Sequence, residues 1–392
     1  MTPVPKGFKF AVARAGFKKP DRLDLGVIVS ETPAVAAGVF TKNLFQAAPV
    51  LVAGERLLNS SHARAIAINS GQANACTGDE GLKNCRAALE ITAKALGLDP
   101  SSILPASTGV IGDPLPLDKW EAALPELLKS LGKVGPKDVA KAVMTTDTTP
   151  KCAFCAASGY ESEVRVLGIA KGSGMICPNM ATMLGFVICD ARVEPDVWQE
   201  TLSRAVEVSF NRVTVDGDTS TNDCVLALAN GASGVEIKGD VGPLAEAVTK
   251  VCQDLAYMIV QDAEGGTKVI RIEVSGAKDL AQAEVAARAV GNSPLVKTAM
   301  YGQDPNWGRI AAALGRSGAD FDPANVKIAI AGIVVFENGQ PLDLDVDAVL
   351  GPRLKDRDIL VEISLGTGPG TYALLASDLT HEYVSINAEY RT

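Results

Sequence analysis

The chain has 392 residues, 47% hydrophobic and 21% charged, with a net charge of −9. That length exceeds the usual single core, so two lobes or more are expected. The acidic balance argues against a nucleic-acid or anionic-membrane partner, and no apolar run reaches membrane-spanning length. The N-terminus has no signal-type apolar region, so a cytoplasmic globular protein is expected. In chain order, apolar patterning predicts strands at 24–30, 35–40 and 64–69, then a helix over 79–97. Further helices are predicted from near Leu117 and from Pro136, where proline suits a first turn. A strand at 164–171 leads into a Gly-rich loop, and another strand follows Thr182. Beyond it come a helix at 194–209, a strand at 223–229, a long helix at 244–262 and a strand at 268–274. The last third is predicted to carry a helix at 281–290 and strands at 327–336, 359–364 and 383–387. Strands and helices mix in both halves, which gives an α/β or α+β class.

The eight cysteines are scattered, and Cys152 and Cys155 form the one CxxC. A structural zinc site wants four ligands, no second CxxC exists, and only His62 and His381 remain, so free thiols and no metal are expected. Residues 216–223, DGDTSTND, lack the spacing of a calcium loop and read as a hydrogen-bonded turn. The run GTGPG at 366–370 has the wrong spacing for a dinucleotide loop, and no cofactor is assigned.

The most informative stretch is Lys171 to Phe186, KGSGMICPNMATMLGF. Gly172, Gly174 and Pro178 are chosen for backbone geometry, and Thr182 stands where the loop meets an apolar strand. A threonine hydroxyl needs a base beside it to attack a carbonyl. If the peptide bond before it breaks, its own α-amine takes that role, with a reference pKa of about 7.7–8.0. Two histidines make a Ser-His-Asp arrangement improbable, which fits an amine as base. Glu264 closes the long helix ahead of Gly265-Gly266, a C-cap signature. A carboxylate there opposes the helix dipole, so a cationic partner is expected.

PNMAT followed by MLGF resembles the self-cleavage segment of the ornithine acetyltransferase (glutamate N-acetyltransferase) family. So do GVFTKN at 38–43, AAPV at 47–50, NSGQANACTG at 69–78, STGVIG at 107–112, TTDT at 145–148 and DGDTSTND. QDAEGGTK at 261–268, YGQDPNWGR at 301–309 and YVSINAEYRT at 383–392 complete the series, in the family's order from end to end. The resemblance implies a self-processed, N-terminal-nucleophile-type α/β enzyme of the ornithine acetyltransferase / DmpA-like fold, with the nucleophile strand at the heart of a sheet. It implies cleavage between Ala181 and Thr182, giving chains 1–181 and 182–392, and two copies of each. Thr182 becomes the nucleophile, and Thr108 and Gly109 the oxyanion donors. Thr145, Lys171, Thr182, Glu264, Asn387 and Thr392 become the substrate contacts. The implied reaction moves acetyl from N-acetylornithine to glutamate by ping-pong chemistry in arginine biosynthesis. Whether acetyl-CoA is also a donor stays open.

Two other classes share parts of this pattern. An N-terminal-nucleophile amidohydrolase or aminopeptidase would differ only in using water as acceptor. A small-molecule binder would never cut itself.

Overall fold

The computed structural model describes residues 3–18, 21–177 and 183–389, which form two compact units. The first unit takes the chain up to Asn211 together with Asp218–Ile259. The second takes Arg212–Gly217 and the chain from Val260. The fold is mixed α/β.

In the first unit a mixed sheet takes β1 (Phe8–Ala13), β2 (Leu25–Phe40), β3 (His62–Gln72), β4 (Ile103–Val110), β5 (Lys151–Ala157), β6 (Val164–Lys171) and β7 (Leu184–Cys189). The short β8 (Val213–Thr214) joins the second unit, and β9 (Cys224–Ala229) returns to the first. The order is β4-β3-β2-β9-β7-β6-β5, with β1 also on β2. The helices are α1 (Ala48–Asn59), α2 (Gly78–Leu96), α3 (Leu117–Ser130), α4 (Pro136–Val143), α5 (Pro195–Glu207) and α6 (Gly242–Gln261). The predicted strands 24–30 and 35–40 are one strand. Its register shifts between Val29 and Ala34, so its first half pairs with β1 and its second with β9.

Strand β7 lies between β6, antiparallel, and β9, parallel, and all six of its residues are buried. A strand covered on both faces must be apolar at every position, and LGFVIC is. Leu184, Phe186 and Ile188 share one core with Val139 and Val143 of α4. On the opposite face of β6, a Cβ at Gly168 would lie 2.5 Å from Val251 and 2.6 Å from Leu255, so glycine there admits α6. Helices α2 and α3 cover β3 with Leu89, Trp120 and Leu124 against Ala65 and Ala67.

The second unit has β10 (Val269–Ala277), β11 (Lys327–Ile330), β12 (Ile333–Glu337), β13 (Gln340–Pro341), β14 (Asp358–Ser364) and β15 (Gly370–Ser377), in the order β13-β12-β11-β14-β10-β15-β8. Helices α7 (Leu280–Gly291), α8 (Pro294–Tyr301) and α9 (Trp307–Gly315) bury Ala286, Val290, Met300 and Ile310 against Ile272, Val361 and Leu374. Helices α10 (Val346–Leu350) and α11 (His381–Glu389) complete it.

Two predicted strands are corrected here. The span 327–336 is a hairpin, turned at Ala331 and Gly332 with φ of 48° and 78°. The span 383–387 is helical, within α11. The alternation of Val384 and Ile386 reads as a strand, but Thr380 Oγ1 accepts the Tyr383 N–H at 3.1 Å and caps a helix.

Candidate active site

In the first unit, β6 ends at Lys171, and β7 returns so that Lys171 lies opposite Leu184, two residues after Thr182 in the sequence. Residues 178–182 lie outside the described residues, so neither Ala181 nor Thr182 has a described position. Lys171 is 8% exposed, and its Nζ donates to Thr108 Oγ1 at 3.5 Å. Two of the expected site residues, from STGVIG and from the end of β6, are thereby brought together.

Thr108 and Gly109 lie on β4 itself. Pro105 lies within β4, an edge strand of its sheet, where a missing N–H is tolerated. Gly109 has φ +134°, and a Cβ there would sit 2.2 Å from the Gly71 carbonyl carbon, so only glycine fits. Below Thr108, Ser107 Oγ donates to Asn69 Oδ1 at 2.6 Å, and Asn222 Nδ2 donates to the Ser107 carbonyl at 2.9 Å. Three motifs far apart in sequence thus converge in one hydrogen-bonded layer.

Thr145 is half-buried after α4, and its N–H donates to Asp147 Oδ2 at 3.1 Å. Asp147 Oδ1 accepts from the Gly172 N–H at 2.7 Å and from Lys151 Nζ at 2.7 Å. Burial would push the Asp147 carboxyl up. The charges of Lys171 and then Lys151, with the hydrogen bonds from Lys151 and from the Gly172 N–H, overcome this and hold it at about 2. Asp147 therefore joins Thr145, the start of the Gly-rich loop and the Lys171 charge. The sequence alone does not single it out as a site residue. Its position two residues into TTDT was the available signal, but Lys151 as partner was not visible.

In the second unit, Glu264 is 8% exposed, and its Oε2 accepts from Asn387 Nδ2 at 2.8 Å. These are the two expected contacts that unit brings together. Gly265, at φ +64°, makes the left-handed cap the sequence implies. A Cβ there would lie 2.6 Å from the Tyr383 N, so the turn packs directly on α11. Thr392 lies outside the described residues.

The CxxC lies along β5, where positions three apart face opposite sides of the sheet. Cys152 feels Lys137 and Asp138, and Cys155 feels Asp254 and Lys250. Burial pushes the Cys152 thiol up to about 12, away from the thiolate a metal or redox site uses. Among the described residues no group of three His, Cys, Asp or Glu side chains is placed to hold a metal. No helix among them is long and apolar enough to cross a membrane.

A profile described as the ArgJ family matches residues 9–392. The chain belongs to the ArgJ family. The Arginine biosynthesis bifunctional protein ArgJ of Nitratidesulfovibrio vulgaris is 59% identical over 100% of both chains. The protein of the same name from Thermosynechococcus vestitus is 47% identical over 99% of this chain and 97% of its own. Among solved structures, the Arginine biosynthesis bifunctional protein argJ of Bacillus halodurans is similar at 38% identity and a TM-score of 0.50. That match covers 52% of this chain and 98% of that one. The full-length matches make the ArgJ family's span coincide with both units described above.

Proposed function

We propose that this ArgJ-family chain is a self-cleaving glutamate N-acetyltransferase of arginine biosynthesis, with N-acetylornithine as donor and two copies of each fragment in the active assembly. The observation that carries this reading is the placement of β7. The strand that follows Thr182 lies in the sheet interior, opposite Lys171, whose ammonium reaches Thr108 at 3.5 Å. A cut between 181 and 182 would leave β7 laddered to β6 and β9 laddered to β2, so the fragments would stay together. The similar solved chain is matched over 98% of its length by 52% of this one, the length a severed chain would have.

In this reading the Thr182 hydroxyl attacks the Ala181 carbonyl, the C–N bond breaks, and the hydroxyl proton ends on the new amine. Water then opens the ester. The same hydroxyl next attacks the acetyl carbonyl, with the amine taking its proton, and ornithine leaves with that proton. Glutamate's amine then collects the acetyl group. The Thr108 hydroxyl and the Gly109 N–H stabilise the oxyanion. Glu264, held by Asn387, receives the cationic amine of ornithine, and Thr145 and Lys171 read the amino-acid head.

Intact mass spectrometry of wild-type protein, with an assay of acetylglutamate against acetate, tests the reading. Two fragments and acetylglutamate are expected. An uncut chain that still turns over, or acetate as the main product, would sink it. Thr108→Val removes one hydroxyl donor and should lower kcat about 100- to 1,000-fold, the scale of one lost oxyanion donor; an unchanged kcat removes Thr108 from that role. Glu264→Gln should lower kcat/KM for acetylornithine by about 10–100-fold, as for a lost charge-assisted hydrogen bond, with much less effect on glutamate. Equal losses on both substrates would contradict this assignment.

A further inference from the structure

The loop 218–223 touches the chain on both sides of residues 178–182. On one side, Thr219 Oγ1 donates to the Cys177 carbonyl at 2.8 Å. On the other, the Asp223 carboxyl accepts the backbone N–H of Met183 and the hydroxyl and N–H of Ser220. The Cys224 N–H also donates to the Met183 carbonyl at 3.2 Å. Asp223 is 2% exposed, and its Oδ2 has no hydrogen-bond partner among the described residues. A buried carboxyl oxygen without a partner is costly, so its presence needs a reason beyond closing a turn. The loop is itself braced. Thr41 Oγ1 donates to the Ser220 carbonyl at 2.9 Å, and the Thr41 N–H donates to the Asp223 carbonyl at 3.0 Å.

We propose that Asp223 is a positioning residue for the nucleophile: its buried carboxyl anchors the N–H of Met183, the residue directly bonded to Thr182 in the chain. An anchored neighbour limits the freedom of the residue it is bonded to, and reactions of this type lose rate steeply with small misplacements. The protonation of the site agrees. Lys171 acts on both carboxyls, yet Asp147 is held ionised, whereas burial pushes Asp223 well above the usual carboxylate range. A neutral anchor leaves the Lys171 charge with Asp147.

The inference rests on the self-cleavage reading, and one set of variants separates the two. Asp223→Asn keeps a neutral acceptor for the Met183 N–H; Asp223→Ala removes it. Freshly made Asp223→Ala, shown to be folded by circular dichroism, should cut itself about tenfold or more slowly than wild type, and cut material should lose kcat more than it raises KM. Asp223→Asn should restore both. If wild type cuts and folded Asp223→Ala cuts equally fast, or if Asp223→Asn is as impaired as Asp223→Ala, the anchor is wrong while the cleavage reading stands. An uncut wild type overturns both. Hydrogen exchange at the Met183 amide keeps the test decisive if Asp223→Ala does not fold: slow exchange in wild type supports the anchor, and fast exchange overturns it.

Discussion

Thr182→Ala is expected to yield one uncut chain of residues 1–392 with no measurable acetyl transfer. Without the hydroxyl there is no attack on the Ala181 carbonyl, and without the cut there is no free α-amine to serve as base. Both roles vanish with one oxygen, so the loss should approach that of removing a whole catalytic unit, on the order of 10⁴-fold or more. Thr182→Ser keeps the hydroxyl and should still cut, more slowly. Denaturing electrophoresis and acetylglutamate formation read both variants. Retained turnover in Thr182→Ala would exclude Thr182 as nucleophile. Native electrophoresis of the wild type should show the two fragments migrating together, because β7 remains laddered to β6 and β9 to β2.

Asp147→Asn should bring the largest loss of stability. Lys151 is 1% exposed and pairs with Asp147 Oδ1, and Lys171 is 8% exposed and acts on the same carboxyl. Removing the anion leaves two cations in a poorly solvated site, and breaking a buried pair in this way costs about 3–5 kcal/mol. The pH dependence follows from the same carboxyl. Its native value of about 2 is below the ordinary 3.8, so the stabilisation is complete above about pH 5 and is lost as pH falls through about 2. The shift corresponds to roughly 2–3 kcal/mol. Urea midpoints measured between pH 7 and pH 2 should fall in wild type and be flatter in Asp147→Asn. Parallel acid profiles would show that Asp147 is not the group responsible.

Much of the fold was legible because its signals are local. The apolar runs of β7 and β9, the helical spacing of α2 and α6, and Pro136 at the start of α4 each arise within a few residues. Strand β4 has no counterpart among the predicted strands: it carries Pro105, and a proline's tolerance depends on whether the strand lies at an edge, which is a property of the sheet. Strand β2 was read as two because a register shift and a break look alike in one chain. Residues 383–387 alternate like a strand, and only the cap at Thr380 reveals the helix.

The candidate site divides in the same way. By itself the sequence determined the ordered motifs, the threonine at the loop-to-strand boundary, the glycine at position 109 and the carboxylate at the end of α6, because these depend on residue type and order. Tertiary structure alone decided that Lys171 meets Thr108, that Asn387 holds Glu264, and that Asp147 is ionised while Asp223 is buried near the ordinary turn residues around it. Burial and charge act through space, and the groups that set them are contributed by segments whose adjacency exists only after the sheets have formed.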